Sequence, residues 1–204
     1  MIKSEIHGIF PVPLYKSKLS RKFTKRELHF VEKMRAECRP NMGNTTSSNG
    51  YVLNEPSFSI LKKKIDLFIE DYFAKIIFPP ESISPYITQS WLNYTEINEH
   101  HHPHHHPNSY LSGILYIAAD KDHDNVTFGH NRYDQINISP TQGNEFNSII
   151  LSFPVETGEI IIFPSSLMHS VPVKKGKNRR ISLSFNVFVK GNLGQVRDSN
   201  ELKL

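Results

Sequence analysis

Residues 98–107 (NEHHHPHHHP) carry six of the chain's eleven histidines. Neutral imidazole is the commonest metal ligand and suits iron, zinc, copper and nickel. In extended backbone, residues i and i+2 share a face. The run therefore offers three ligand pairs, His100/His102, His102/His104 and His104/His106. Spacing does not choose among them. Consecutive histidines in an exposed loop also bind metal adventitiously, so the run alone leaves chemistry and accident equally open. A local pair closes only part of a coordination sphere, and a further ligand has to come from a distant segment. His169 is the candidate, because it follows residues 163–168 (FPSSLM), where a strand gives way to a turn. His7, His29, His123 and His130 have no partner at ligand spacing and read as surface or packing residues.

A second constellation follows His169. After Ser170, Val171 and Pro172 comes a basic turn (KKGKN), and then Arg179 and Arg180 open a strand. A guanidinium grips a carboxylate through two parallel hydrogen bonds. An arginine on the strand after a metal-binding histidine can thus hold a carboxylate-bearing ligand beside the metal. Arg180 is in phase with Ser182 and Ser184. Arg179 points the other way or sits in the turn.

These side chains need elements to position them. The 204 residues, 38% hydrophobic, fit one structural unit. The Pro-broken segment 9–15 reads as extended. Leu28, Val31 and Met34 predict a helix over 24–36. Phe58, Leu61, Ile65, Phe68, Ile69, Tyr72 and Ile76 predict a second over 57–76, ended by Pro79 and Pro80. Between them, 39–50 (RPNMGNTTSSNG) reads as a polar loop. From there the period changes to two, and strands are expected at 86–97, 109–118, 148–153, 159–163 and 180–190. In the last, Ile181, Leu183, Phe185, Val187 and Val189 share one face, and Arg180, Ser182, Ser184 and Asn186 the other. In a sandwich that polar face meets water; in an open-mouthed jelly roll it lines a wet interior. The fold expected is mostly β with N-terminal helices: residues 1–80 pack on a barrel formed by 81–190. A loop insertion lies at 120–147, and 191–204 form a polar tail.

Composition narrows the classes. A lone cysteine, Cys38, excludes an internal disulfide and a thiolate zinc site and suits a reducing cytoplasm. The first ten residues lack the apolar core of a signal peptide, and no apolar run approaches the roughly 18 residues of a membrane span. The net charge of +4 gathers at Lys62, Lys63 and Lys64 and in KKGKNRR (174–180). Such runs read as solvated faces in preference to a nucleic-acid surface. Oligomeric state is not legible.

Taken in order, several pieces resemble one family. They are W-x-N (Trp91, Asn93), H-x-H-P-x-S (His104, His106, Pro107, Ser109), S-G-x-x-Y (Ser112, Gly113, Tyr116), G-x-I-x-x-F-P (158–164), H-x-V (His169, Val171) and R-I-S-x-S-F-N (180–186). Together they resemble the 2-oxoglutarate/Fe(II)-dependent oxygenases of bacteria and marine phages, over about residues 86–190. The resemblance implies a double-stranded β-helix with Fe(II) at its mouth and 2-oxoglutarate as co-substrate. The products would be succinate, CO2 and an oxidised substrate. His104 matches the first ligand and His169 the distal one, and Arg180 matches the residue that binds the far carboxylate of 2-oxoglutarate. Asn93, Tyr116 and Asn186 sit where further hydrogen bonds to that co-substrate are expected. One departure stands out. The family's proximal motif is His-x-Asp/Glu, and here the third position is His106. Either iron takes three histidines, or water or a remote carboxylate (Glu96, Glu99, Asp120) completes its shell. Segments 39–50 and 120–147 are candidate lids, with Phe128 and Tyr133 either touching substrate or anchoring the loop. The rival readings are a three-histidine cupin-like dioxygenase that does not use 2-oxoglutarate and a non-catalytic jelly-roll binding module. The substrate, a small molecule or a peptidyl group, is not readable.

Overall fold

The computed structural model describes residues 2–129 and 138–204. The chain opens with β1 (Tyr15–Lys18) and α1 (Lys25–Arg35), and continues through β2 (Cys38–Pro40), β3 (Thr45–Ser47) and α2 (Ser59–Tyr72). Ten strands follow. They are β4 (Ser84–Thr95), β5 (His101–His104), β6 (Leu111–Ala118), β7 (Asn125–Gly129), β8 (Ile150–Pro154), β9 (Glu159–Pro164), β10 (Met168–Val171), β11 (Arg180–Lys190), β12 (Asn192–Leu193) and β13 (Leu202–Lys203).

Two antiparallel sheets make a double-stranded β-helix. The larger has the order β1-β9-β6-β11-β4-β3-β2 and the smaller β5-β10-β7-β8. From β4 to β11 the chain crosses back and forth between the sheets, apart from the β7–β8 hairpin within the smaller one, which is why sequence-distant segments meet at the mouth. The larger sheet buries both faces. Its outer face joins α1 and α2 in one core containing Val31, Met34, Leu61, Ile65, Leu92, Leu115, Leu183 and Phe185. Its inner face meets the smaller sheet over a second cluster that includes Ile114, Tyr116, Val126, Phe128, Ile161 and Phe163. Gly113 is required where β6 pairs with β11: a Cβ there would lie 2.0 Å from the Phe185 ring.

Helix α1 starts with a capping box in which Thr24 and Glu27 satisfy each other's backbone amides. Arg21 grips the Glu27 carboxylate with two hydrogen bonds of 2.8 and 2.6 Å, and they hold its pKa below the ordinary value although burial pushes the other way. Phe30, in place of the expected Leu28, joins Val31 and Met34 in the core; Leu28 stays exposed. Helix α2 buries Leu61, Ile65, Ile69 and Tyr72 and unwinds through a π turn, Phe73–Ile77.

Three expectations are corrected. Segment 39–50 is not a free loop: β2 and β3 form a hairpin, and β3 extends the larger sheet by pairing Thr45 with Tyr94 and Thr46 with Asn93. The insertion 120–147 contains an interior strand, β7, between β10 and β8. Val126 and Phe128 are its two buried residues, and two apolar positions within five residues gave too short a pattern to read. The tail 191–204 folds back as a small β12–β13 ladder. A buried ion pair braces the barrel near β7. Lys174 Nζ donates to Asp124 Oδ1 at 2.8 Å and to Asn178 Oδ1 at 3.0 Å, and both charged side chains are almost wholly enclosed. Among the described residues no helix is long and apolar enough to cross a membrane.

Candidate metal and co-substrate site

His104 and His169 are direct cross-strand neighbours in the β5–β10 ladder. Just beyond β5, the His106 amide donates to the Ser165 carbonyl at 3.0 Å, which turns that ring back toward the pair. The ring centroids lie 4.3 Å apart for His104 and His169, and 5.1 Å apart for His106 with either. One ring nitrogen of each falls within 4.8 Å of the others.

The outer nitrogens settle which lone pairs converge. Nδ1 of His104 lies 2.8 Å from the His102 carbonyl, Nδ1 of His169 lies 3.0 Å from the Leu167 carbonyl, and Nδ1 of His106 lies 2.6 Å from Asn186 Oδ1. An oxygen without a hydrogen can only accept, so each Nδ1 carries the proton and each Nε2 presents a lone pair. This outer-shell pattern fixes metal-ligating imidazoles. Burial, reinforced by the neighbouring histidines, lowers the His169 pKa to about 3 and the His104 pKa to about 4, and it lowers that of His106. All three are neutral at pH 7, as ligands must be.

Beside the histidines, a narrow cleft opens between the sheets, lined by Trp91, Asn93, Ser182 and Ser184 among others. Arg180, 2% exposed, lines it. Its Nη1 donates to the Asn125 carbonyl at 3.0 Å, and its guanidinium carbon lies 5.2 Å from the Tyr116 ring centre. Arg180 Nε, Asn93 Oδ1 and Asn44 Oδ1, on residues that line the cleft, lack a partner, and so does the hydroxyl of Tyr116, which lies against Arg180 and does not itself line the cleft. Burial pushes the Tyr116 hydroxyl up to about 12, so it stays a donor. Asn93 Nδ2 donates to Ser184 Oγ at 3.0 Å; with the amide turned over, a donor faces the cleft instead. A buried unpaired group costs about 1–3 kcal/mol. So many in one place mark a site shaped for a polar ligand, and a carboxylate fits a guanidinium and a phenol. Asn186 is engaged with His106 and with Ser112, whose hydroxyl donates to Oδ1 at 3.3 Å.

The possible remote carboxylates lie elsewhere. Glu96 pairs with Arg179, Glu99 accepts the Glu96 amide at 2.7 Å, and Asp120 pairs with His123 at 2.7 Å. No carboxylate lines the cleft among the described residues. Phe128 is core, its ring 4.9 Å from that of Phe163, and is not part of a lid. His7 and His29 are exposed, as expected; His130 and Tyr133 lie outside the described residues. His101 is a lining residue that period-two reasoning misses. The ladder shifts register between His169 and Val171, opposite His104 and His101, so residues three apart share the cleft face. Its ring stacks on His104 at 4.4 Å.

Residues 89–186 match the family model described as "Putative 2OG-Fe(II) oxygenase". Over that span, just under half of the chain, the sequence is similar to the 2-oxoglutarate/Fe(II) oxygenases. The fold agrees with solved structures. The non-heme α-ketoglutarate-dependent epimerase SnoN from nogalamycin biosynthesis aligns with a TM-score of 0.64 at 13% identity, covering 88% of this chain and 79% of that one. A prolyl hydroxylase from Trichoplax adhaerens, in complex with a hypoxia inducible factor peptide, aligns at 0.59 and 11%, covering 86% and 83%. HygX from Streptomyces hygroscopicus, with nickel, 2-oxoglutarate and hygromycin B bound, aligns at 0.58 and 9%, covering 86% and 82%. No curated protein sequence matches the chain. The family model names Fe(II) and 2-oxoglutarate, and the converging imidazoles and a guanidinium whose Nε has no partner fit both.

Proposed function

We propose that His104, His106 and His169 hold the iron, that Arg180, Tyr116 and Asn93 hold the far carboxylate of 2-oxoglutarate, and that the enzyme hydroxylates a small molecule or a peptidyl group. One observation carries this reading: three Nδ1 atoms tied outward leave three Nε2 lone pairs converging beside a buried guanidinium whose Nε has no partner. Fe(II) and 2-oxoglutarate, when bound, would activate O2 as the oxidant, with succinate and CO2 as co-products.

The chain supplies placement and a dry wall. Arg180 offers Nε–H and Tyr116 its O–H to the carboxylate, in a setting where charge-assisted hydrogen bonds are strong. Asn186 accepts the His106 Nδ1 proton and so aims the third imidazole; on this geometry it serves that ring and not the co-substrate. With His106 in place of a carboxylate the ligand set is neutral, and its ion holds a dianion more tightly. Phe128 and Phe163 back His169 and keep water from its rear. Cys38, its thiol pushed up by burial, fits a reducing compartment, and we place the enzyme in the cytoplasm.

The test is anaerobic reconstitution with Fe(II) followed by admission of O2. Expected is O2 uptake that requires 2-oxoglutarate and yields succinate in equal amount, with iron retention lost in H104A and turnover lost in H104A and H169A. Uptake independent of 2-oxoglutarate, or undiminished turnover in H169A, overturns the assignment.

A further inference from the structure

We propose that His101, His102 and His104 form a second metal position at the rim of the cleft, suited to a borderline divalent ion such as Zn(II), which fills only at the expense of the inner triad. One ring nitrogen from each of these residues lies within 4.8 Å of the others. The ring centroids are 5.1 Å apart for His101 and His102, 4.9 Å for His102 and His104, and 4.4 Å for His101 and His104. All three side chains are half-buried, so a hydrated ion can reach them. An all-imidazole set selects zinc, copper or nickel over magnesium or calcium.

The lone pairs can be assigned. His102 Nδ1 faces the Met42 carbonyl at 3.4 Å, which leaves its Nε2 free. His101 Nε2 lies 3.2 Å from Asn41 Nδ2. Asn41 Oδ1 accepts the Met42 amide at 2.9 Å, so the amide orientation is fixed and its N–H donates to His101. A rim ion replaces that donor on His101 Nε2. Turn 41–44 then keeps its backbone tie, the His100 amide to the Gly43 carbonyl at 3.0 Å.

Exclusivity follows from His104. Its Nδ1 proton is committed to the His102 carbonyl, so the ring has a single lone pair, on Nε2. An ion at the rim takes that lone pair and leaves the inner position with His106 and His169 alone. A rim ion therefore inhibits, and Fe(II) with 2-oxoglutarate in the inner position expels it. This step rests on the inner triad being the iron site.

The experiment is an anaerobic Co(II) titration of metal-free protein, followed by visible ligand-field absorption. It uses the wild type, H169A, H102A and H102A/H169A, with H106A as a second way to disable the inner triad. H169A and H106A are expected to keep a single Co(II) per chain. Adding H102A to H169A weakens that binding by roughly tenfold or more, since loss of an outer-shell partner alone costs about 10–100-fold. H102A alone keeps the carbonyl that serves His104. It is expected to retain Co(II) and basal turnover while losing inhibition by Zn(II). If H169A and H106A bind no Co(II), the rim position is overturned and the iron-site reading stands. If they bind it equally with and without His102, the capture is adventitious and the rim position is again overturned. If H102A loses Co(II) while H169A keeps it unchanged, the inner triad falls as the iron site, and with it the exclusivity proposed here.

Discussion

Ile181, Leu183, Phe185 and Val187 on one face of β11 pack in the core shared with the helices; Arg180, Ser182, Ser184 and Asn186 on the other face line the barrel interior. Both faces are buried: Leu183 is 0% exposed, Arg180 2% and Asn186 8%. What differs is how well each is satisfied. The apolar side chains have complete packing partners. On the other face Arg180 Nε has no partner, and across the β4 pairing neither has Asn93 Oδ1. One face therefore supplies stability, and the other keeps binding capacity in reserve at a cost to stability. Burial alone does not distinguish them; unsatisfied hydrogen bonding does.

The division can be broken from either side. The largest effect expected is on the outer face. Leu183→Ala removes a fully enclosed side chain and costs about 2–5 kcal/mol of unfolding free energy. Denaturant titration checks this, with turnover per folded molecule unchanged; lost turnover at full stability would blur the two faces. Next is Arg180→Met. Truncating one partner of a buried charged pair costs about 2–5 kcal/mol, so the apparent affinity for 2-oxoglutarate falls by roughly 30-fold or more. Without ligand the same variant melts no lower than the parent, because it removes a buried, incompletely paired charge. A ligand-free protein that melts well below the parent would make Arg180 a structural residue.

A smaller change is expected at Asn186. Asn186→Ala removes the acceptor for His106 Nδ1 and weakens metal retention by roughly 10–100-fold, while Asn186→Asp restores it. Dialysis against a graded chelator series reads this directly. The last effect vanishes at neutral pH. The folded pKa values of His104 and His169, about 4 and about 3, lie below the ordinary value of 6.5. Above pH 6.5 neither state binds the protons and the groups are silent. As pH falls below 6.5 the unfolded chain takes up protons that the fold refuses, so metal-free stability declines until about pH 3–4. A melting series across that window, compared with H169A, tests the sign: the parent declines more steeply.

Much of this architecture is legible in the sequence, for physical reasons. Eight residues of strict alternation, 180–187, made β11 readable, and with it the face that Arg180 shares with Ser182, Ser184 and Asn186. His169 could be picked out because it follows a strand end, whereas spacing did not single out His104 among its neighbours and only the family resemblance did. The hairpin 38–47 was hidden because its Asn, Thr and Ser side chains serve as readily in turns as in an edge ladder. His101 was hidden because a register shift moves it onto a face that alternation denies it. Tertiary pairing decided both, and pairing is not a local property.

The enclosed ammonium–carboxylate contact between Lys174 and Asp124 has a consequence for motion. Asp124 immediately precedes the residue whose carbonyl holds Arg180, and Lys174 stands in the turn that feeds β11. Neither segment can lift away alone without stranding a charge in a medium that cannot solvate it. Hydrogen exchange is expected to show the amides of 124–128 and 174–180 opening as one cooperative block, with a shared free energy well above that of the surrounding turns.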